Sequence, residues 1–135
     1  MLRRKSKSQT ALTLTDLPVG TFISTEDGYF YVFSNTQRYR FITTRVLDSW
    51  NPQRVVVCSE LDPAVRKLKS LFKMKFRNGS LLYCQADGKM YLVSQNKLRE
   101  VNLPTTMSAL NLKKSDAVWI SVEERNLHEI GEPLN

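Results

Sequence analysis

The sequence predicts an α+β protein, rich in β-strands, that contains two tandem copies of one unit. Two similar stretches, DGYFYVFSNTQRYR from Asp27 and DGKMYLVSQNKLRE from Asp87, lie 60 positions apart. Around both, short apolar segments are separated by turn residues, which is typical of β-strands and hairpins. A short helix-like segment follows each stretch. We therefore predict a tandem duplication that packs as one pseudo-symmetric domain.

Further matches keep the same order along both copies. Their offset changes only where turns are expected, so a duplication explains them better than chance. The matched pairs are Gly20 with Gly79, Asp27 with Asp87, Tyr31 with Tyr91, Arg40 with Arg99, Trp50 with Leu112, and Ser59 with Ser121.

The first copy has the pattern of a three-stranded meander followed by a helix and a fourth strand. Asp27-Gly28 supplies the positive φ that a tight hairpin needs. Thr43-Thr44 can cap a short helix, which Asn51-Pro52 ends because proline cannot continue it. Strands are predicted at 21–25, 29–33, 38–42 and 55–58, and the helix at 45–50.

The second copy repeats this plan after a basic segment. PAVRKLKSL, from Pro63, has helical spacing, and FKMKFR, from Phe72, alternates apolar and basic residues like a strand. In the second copy, strands are predicted at 80–84, 89–93, 97–101 and 117–121, and a helix at 105–112.

The aromatic and apolar residues of the central strands are the candidate core. Each such side chain contributes on the order of 1.5–3 kcal/mol when it is buried. The side chains predicted to be largely buried are Tyr31, Phe33, Trp50, Tyr91, Val93 and Trp119.

This organisation divides the 135 residues into four segments. The segments are a basic N-terminal arm at 1–13, a first β repeat at 14–62, a basic helix and strand connector at 63–78, and a second β repeat at 79–135.

Composition narrows the class of protein. The hydrophobic fraction of 41% is that of a folded chain, and no apolar run is long enough to span a membrane. The basic start MLRRKSKSQT is not followed by the apolar segment of a secretory signal. Cys58 and Cys84 form no C-x-x-C pattern, which favours a reducing compartment.

Positive charge is concentrated in the first half. Residues 1–77 hold 14 Lys and Arg against 6 Asp and Glu, whereas residues 78–135 hold 6 against 7. Such asymmetry indicates an acidic protein surface or phosphate as the partner, although a solubilising tail and a solvated strand face would look the same. The candidate partner-binding residues are Arg3, Arg4, Lys5, Lys7, Lys69, Lys73, Lys75 and Arg77.

Catalytic patterns are not recognisable. The single histidine, His128, lacks a matching nucleophile and is expected at the surface or in a turn. Glu123 and Glu124 are adjacent, which indicates a solvated face rather than an acid/base pair. There is no glycine-rich phosphate loop. We therefore predict a protein that is not an enzyme and needs no metal or cofactor.

The second copy resembles a known type of repeat. NGSLLYCQADGKMYLVSQNKLREV, from Asn78, is similar to a short β-rich repeat of bacterial surface and cell-wall-associated proteins, which also occurs in small virion structural proteins of tailed phages. A glycine opens the unit, apolar pairs and a Tyr-apolar-apolar core follow, and a basic return strand precedes a helix. The matching residues are Gly79, Leu81, Leu82, Tyr91, Leu92, Val93, Lys97, Arg99, Val101 and Leu110.

The resemblance implies a structural role. The expected function is that of a small non-enzymatic virion component, associated with the head, connector or tail, that binds neighbouring virion proteins in several copies. Its location would be the virion, assembled in the host cytoplasm, with no membrane contact. The alternatives are a nucleic-acid-associated protein that uses its basic arm and the basic patch at 66–77 for non-specific contact, and a cell-wall or carbohydrate-binding module.

Overall fold

The computed structural model describes residues 15–134 and confirms the β-rich α+β class. These residues contain ten strands in two five-stranded sheets, with four short α-helices. The first seven elements are β1 (Phe22–Thr25), β2 (Gly28–Val32), β3 (Gln37–Arg40), α1 (Thr44–Ser49), β4 (Val56–Val57), α2 (Pro63–Arg66) and β5 (Lys69–Lys73). The next seven are β6 (Leu81–Cys84), β7 (Lys89–Ser94), β8 (Lys97–Glu100), α3 (Pro104–Ala109), β9 (Val118–Ile120), α4 (Val122–Arg125) and β10 (Glu129–Ile130).

The two sheets have the same topology. The first has the strand order β4-β1-β2-β3-β5, and the second has the equivalent order β9-β6-β7-β8-β10. In each sheet the three consecutive strands form an antiparallel meander, and the strand after the helix joins its edge in parallel. Each copy is therefore a series of seven elements, which agrees with the predicted duplication.

The repeat is longer than the meander, helix and strand recognised in the sequence. A second helix and a fifth strand complete each copy, as α2 and β5 in the first and as α4 and β10 in the second. The connector expected at 63–78 therefore contains two elements of the first repeat. Only Lys69–Lys73 of this segment is a strand, so Lys69 lies on a strand where a helix was predicted.

In the structure, the residue of β2 that corresponds to a given residue of β7 lies one position earlier than the sequence alignment predicted. Gly20 N–H donates to the Val32 carbonyl, and Gly79 N–H donates to the Val93 carbonyl. Tyr91 therefore takes the place of Phe30, because the first hairpin loop is two residues longer in the second copy. A shift of one residue in a strand reverses its two faces.

Two burial predictions are corrected, one by this shift, at Phe33, and one by the position of Trp119 on the edge strand β9. Tyr91 and Val93 are buried as predicted, and Tyr31 and Trp50 are half-buried. Phe33 and Trp119 are exposed, so the prediction for these two was wrong. On β2 the buried face is formed by Phe30 and Val32, and the tyrosines and Phe33 alternate with them.

The first sheet covers one hydrophobic core. Arg38 adjoins it, with its guanidinium 4.3 Å from the ring centroid of Phe30, and it donates two hydrogen bonds of 2.7 Å to Glu60. The bond from Arg38 lowers the pKa of Glu60, which stays ionised. In the second copy the buried Leu98 replaces Arg38. The core comprises Leu17, Ile23, Phe30, Val32, Cys58, Ala64, Val65 and Leu68.

The cysteines behave as small apolar side chains. Both Cys58 and Cys84 are free thiols and both are buried. Burial raises the pKa of Cys58 to about 11, so the thiolate that would react is scarce at neutral pH.

The compact units of the chain do not coincide with the sequence repeats. The first unit contains the described residues up to Arg40 together with Arg54–Phe72. The second contains Phe41–Gln53 and the described residues from Lys73 onwards. Helix α1 belongs to the first repeat in sequence, but it is part of the second unit.

Candidate interaction surfaces

The structure separates the predicted basic residues. Lys69 and Lys73 are exposed at the two ends of β5. Lys75 is half-buried and Arg77 is exposed, and both follow the strand in irregular chain. The arm residues Arg3, Arg4, Lys5 and Lys7 lie outside the described residues.

The predicted alternation around β5 is correct only for its second part. Met74 and Phe76 are buried and Arg77 is exposed, as the pattern required. Phe72, by contrast, is 54% exposed because it lies on β5, an edge strand of the first sheet whose five residues are all exposed. With Leu71 at 65% exposed, β5 carries two large apolar side chains between two lysines.

Three aromatic side chains form a row on the first sheet that includes Phe72 of β5. The rings of Phe33 and Tyr39 are stacked, with centroids 4.4 Å apart and planes inclined by 12°. The ring of Phe72 follows, 5.5 Å from that of Tyr39. Flat, partly exposed rings of this kind can pack against an apolar protein surface or stack with a planar ligand. We refer to Phe33, Tyr39 and Phe72 as the aromatic row.

The other edge strands are also apolar. β4 exposes Val57, β9 exposes Trp119 and β10 exposes Ile130. The ring of Trp119 lies 5.2 Å from that of Tyr83 on the neighbouring strand β6. Edge strands of soluble proteins are usually protected by charged residues or by proline, because their free backbone groups can pair with another chain. Exposed apolar edges therefore indicate binding surfaces.

A buried carboxylate holds α1 in the second unit. Glu124 has 0% exposure and accepts hydrogen bonds from Thr43 Oγ1 and from the Arg45 guanidinium, at 2.9–3.1 Å for the latter. It also closes a capping box on α4, because its carboxylate accepts from Ser121 N–H and its own N–H donates to the Ser121 hydroxyl. Burial alone would raise the pKa of Glu124, but these donors outweigh it and the pKa is lowered.

Two further hydrogen bonds attach the end of α1 to the same unit. Trp50 Nε1 donates to the Lys75 carbonyl at 2.9 Å, and Arg77 N–H donates to the Ser49 hydroxyl at 3.1 Å. Between α1 and the strands lies a cleft of about 300 Å³, lined among others by Arg45, Phe76 and Val118. The expectation that Glu124 lies on a solvated face was wrong. The capping pattern Ser121-x-x-Glu124 was the sequence signal that could have corrected it.

His128 closes a turn, in which its N–H donates to the Arg125 carbonyl at 3.2 Å, but its side chain is buried between two backbone groups, so its prediction as a surface residue was wrong. Its Nε2 accepts from Phe76 N–H at 3.1 Å, and its Nδ1 lies 2.7 Å from the Asn96 carbonyl. An acceptor at Nε2 and a carbonyl at Nδ1 require a neutral ring with its proton on Nδ1. Burial lowers the pKa of His128 from the usual 6.5, as does the charge of Lys75, while the Asn96 hydrogen bond opposes them.

This geometry predicts a pH-dependent stability. The unfolded chain binds a proton at His128 near pH 6.5, whereas the folded chain does so only at a lower pH. The contribution of His128 is therefore complete above pH 6.5 and decreases as the pH falls towards the folded pKa. We expect the urea midpoint of the second unit to fall between about pH 7.5 and about pH 5.5. The variant His128→Gln, whose amide can make both hydrogen bonds, should lose this slope, and an unchanged slope in the variant would contradict the assignment.

A polar cleft of about 380 Å³ lies beside His128. Asp87 accepts there from the Tyr91 hydroxyl at 2.7 Å, from Arg125 at 2.9 Å and from Lys89 N–H at 2.9 Å. Burial would raise the pKa of Asp87, but these hydrogen bonds outweigh it and keep the carboxylate ionised. Burial and the bond to Asp87 raise the pKa of Tyr91. These groups are hydrogen-bonded to one another, and none of their pKa values is shifted towards neutral pH, as that of a general acid or base would be.

Residues 15–134 contain neither a candidate metal site nor a candidate membrane-spanning helix. No group of three or more His, Cys, Asp or Glu side chains there is arranged to hold a metal ion. None of the helices in this part of the chain reaches the length and apolarity that crossing a bilayer requires.

Comparison with known proteins gives no relative. No family model matches the chain, and neither a curated protein nor a solved structure matches it. The candidate surfaces must therefore be interpreted from their own geometry.

Proposed function

We propose that this chain is a non-enzymatic structural protein that binds neighbouring proteins in a larger assembly. The assembly that the sequence resemblance favours is the virion of a tailed phage. The observation that carries the proposal is the β5 edge, where exposed Leu71 and Phe72 lie between Lys69 and Lys73. An apolar centre with charged residues around it is the usual composition of a protein–protein interface.

The other surfaces support the same class of function. Apolar side chains are exposed on the edge strands of both sheets, at Val57, Trp119 and Ile130. A small protein with several such edges can contact more than one neighbour. The partner at β5 should present an apolar strand or groove bordered by carboxylates, because those groups complement the two lysines.

The buried polar groups have structural roles. Glu124, Glu60 and His128 each bind donors or acceptors that fix the fold. This use of the titratable groups favours a binding protein over an enzyme.

Particle composition tests the proposal. Mass spectrometry of purified phage particles should detect this chain in a fixed ratio to the major structural proteins. The variant Phe72→Ser should enter particles at least about tenfold less, because an anchor residue at an interface centre contributes 2 kcal/mol or more. Val122→Ser, which removes an exposed apolar residue outside the edge strands, is the matched control. Equal incorporation of both variants would exclude the β5 edge as the binding surface.

Nucleic-acid binding is the second candidate, and the aromatic row is the observation in its favour. Bases stack on exposed rings, and nearby lysines contact phosphates. Fluorescence anisotropy with a labelled single-stranded oligonucleotide tests it. If the row binds nucleic acid, affinity should fall steeply between about 50 mM and about 200 mM salt and should fall again in Tyr39→Leu. Salt-independent, very weak binding would remove this candidate.

A further inference from the structure

We propose that this chain associates head to tail with copies of itself, through the docking of α3 on the first unit of a neighbouring chain. This rests on the proposed function as an assembly protein and names a second copy of the chain as one partner. The inference starts from α1, which lies in the unit formed mainly by the other repeat. The second repeat contains the equivalent helix, α3. The first unit contains a surface equivalent to the one on which α1 packs, which we call the seat.

α3 corresponds to α1 at a constant offset of 60 positions, from Thr44–Ser49 to Pro104–Ala109. Both helices are followed by an asparagine with positive φ, Asn51 at 45° and Asn111 at 56°. Asparagine tolerates this left-handed conformation, so both helices end in the same way. The two helices are therefore equivalent in backbone and in position within their repeats.

The side chains of the two helices are buried to different extents. α1 buries both Val46 and Leu47, whereas the residue buried on α3 is Met107. Leu110, at the position of Trp50, is 46% exposed, and Leu103, at the position of Thr43, is 45% exposed. α3 thus presents an apolar surface at the positions by which α1 is attached.

The seat of α1 has a counterpart in the first unit. In the second unit it includes Phe76, Val118 and Glu124, with the backbone of Lys75 and Arg77. The strand registers assign Val56, which is 36% exposed, to Val118. The equivalent Gly20 and Gly79 bonds assign Leu17, which is buried in the core of the first unit, to Phe76.

The capping residues and the surface around this counterpart also correspond. Asp62 accepts from Ser59 N–H, as Glu124 accepts from Ser121 N–H. Asp62 is half-exposed, whereas Glu124 is fully covered. Val19, beside the counterpart of Arg77, is 58% exposed.

The proposed contact of α3 between chains should differ in chemistry from the contact of α1 within the chain. Arg45, which binds Glu124, is replaced on α3 by Thr105, and Trp50 is replaced by Leu110. The contact between chains would therefore depend mainly on apolar burial and only weakly on salt. Two different surfaces, one acting as donor and the other as acceptor, form a heterologous contact, which yields rings or filaments rather than a closed two-fold dimer.

Sedimentation velocity over a range of protein concentrations tests this inference. The wild-type chain should form species larger than a dimer as its concentration rises. Leu110→Glu, in the donor, and Val19→Glu, in the acceptor, should each weaken association at least about tenfold, because a charge at an apolar contact must be desolvated. Val122→Glu, which changes an exposed apolar residue on α4 that belongs to neither surface, is the control and should associate like the wild type. Leu103→Glu provides a second variant of the donor helix. Circular dichroism establishes that each variant is folded.

Mixing the variants gives the decisive result. Leu110→Glu retains its acceptor and Val19→Glu retains its donor, so their mixture should form a one-to-one complex that does not grow further. A wild-type chain that stays monomeric at all concentrations would overturn the inference. So would loss of association in Val122→Glu, or a mixture that remains monomeric. Each of these results leaves incorporation into particles to be measured separately, so the inference can fail while the proposed function holds.

Discussion

Glu124→Ala should destabilise the second unit by about 3 kcal/mol. Removal of one partner from a buried ion pair typically costs 3–5 kcal/mol. A value at the lower end is expected because the Arg45 side chain is 50% exposed and water can solvate it after the change. The variant also loses the capping box of α4 and the acceptor of the Thr43 hydroxyl. Urea unfolding followed by tryptophan fluorescence measures the effect, because Trp50 and Trp119 both lie in the second unit.

Glu123→Ala is the matched control for this experiment. It removes a neighbouring carboxylate that is exposed, so it should change the free energy of unfolding by less than about 0.5 kcal/mol. Glu124→Gln should lie between the two, since an amide keeps the shape and some of the hydrogen bonds. Equal stability of the Glu123 and Glu124 variants would show that α1 is not held by this carboxylate.

Acid should weaken the same contact. The pKa of Glu124 is below its usual 4.5 in the folded chain, so the unfolded chain binds the proton first as the pH decreases. Its stabilising contribution is therefore present above pH 4.5 and is lost as the pH falls through the folded pKa. This window begins at a lower pH than that of His128, and the variant His128→Gln, which retains Glu124, separates the two effects.

Phe76→Ala should cost about 3–5 kcal/mol, the range for removing a fully buried aromatic side chain. Phe76 is among the largest fully buried side chains, and its ring lies 6.0 Å from that of His128. The cavity left in the second unit should lower both its melting temperature and its urea midpoint.

Phe72→Ala is an internal comparison, because the same change is made four positions away on an exposed side chain. It should change stability by less than about 1 kcal/mol and should instead weaken partner binding. Similar losses from both variants would mean that Phe72 is covered in the folded protein.

The sequence predicted the fold class and the duplication because both depend on local patterns. Strand alternation, Asp-Gly turns and the Asn-Pro helix end appear in short windows, and the predicted helix at 45–50 agrees closely with Thr44–Ser49. The predicted pairing of Tyr31 with Tyr91 was wrong, because aligned letters do not reveal an insertion in a hairpin loop. A one-residue error then exchanged the two faces of a strand and made Phe33 a core candidate.

The candidate surfaces were less predictable because they depend on distant contacts. Glu124 resembles its exposed neighbour Glu123 in the sequence, and only the approach of Thr43 and Arg45 distinguishes them. His128 was likewise defined by the backbone of Phe76 and Asn96. Lys69 and Lys73 were identified as candidates from the basic character of the sequence. The exposed Leu71 and Phe72 between them could be recognised only from the structure, which shows where β5 begins and ends.

The placement of α1 has a consequence for the origin of the chain. A single ancestral repeat with the same contacts could not have seated its own helix in this way and would have needed another molecule to receive it. Gene duplication and fusion would turn that encounter between molecules into one within a chain. A short tether raises the effective concentration of the two parts to the millimolar range, so a weak contact becomes almost fully formed. On this view, the duplicated gene preserves within one polypeptide a contact that an earlier protein could make only by self-association.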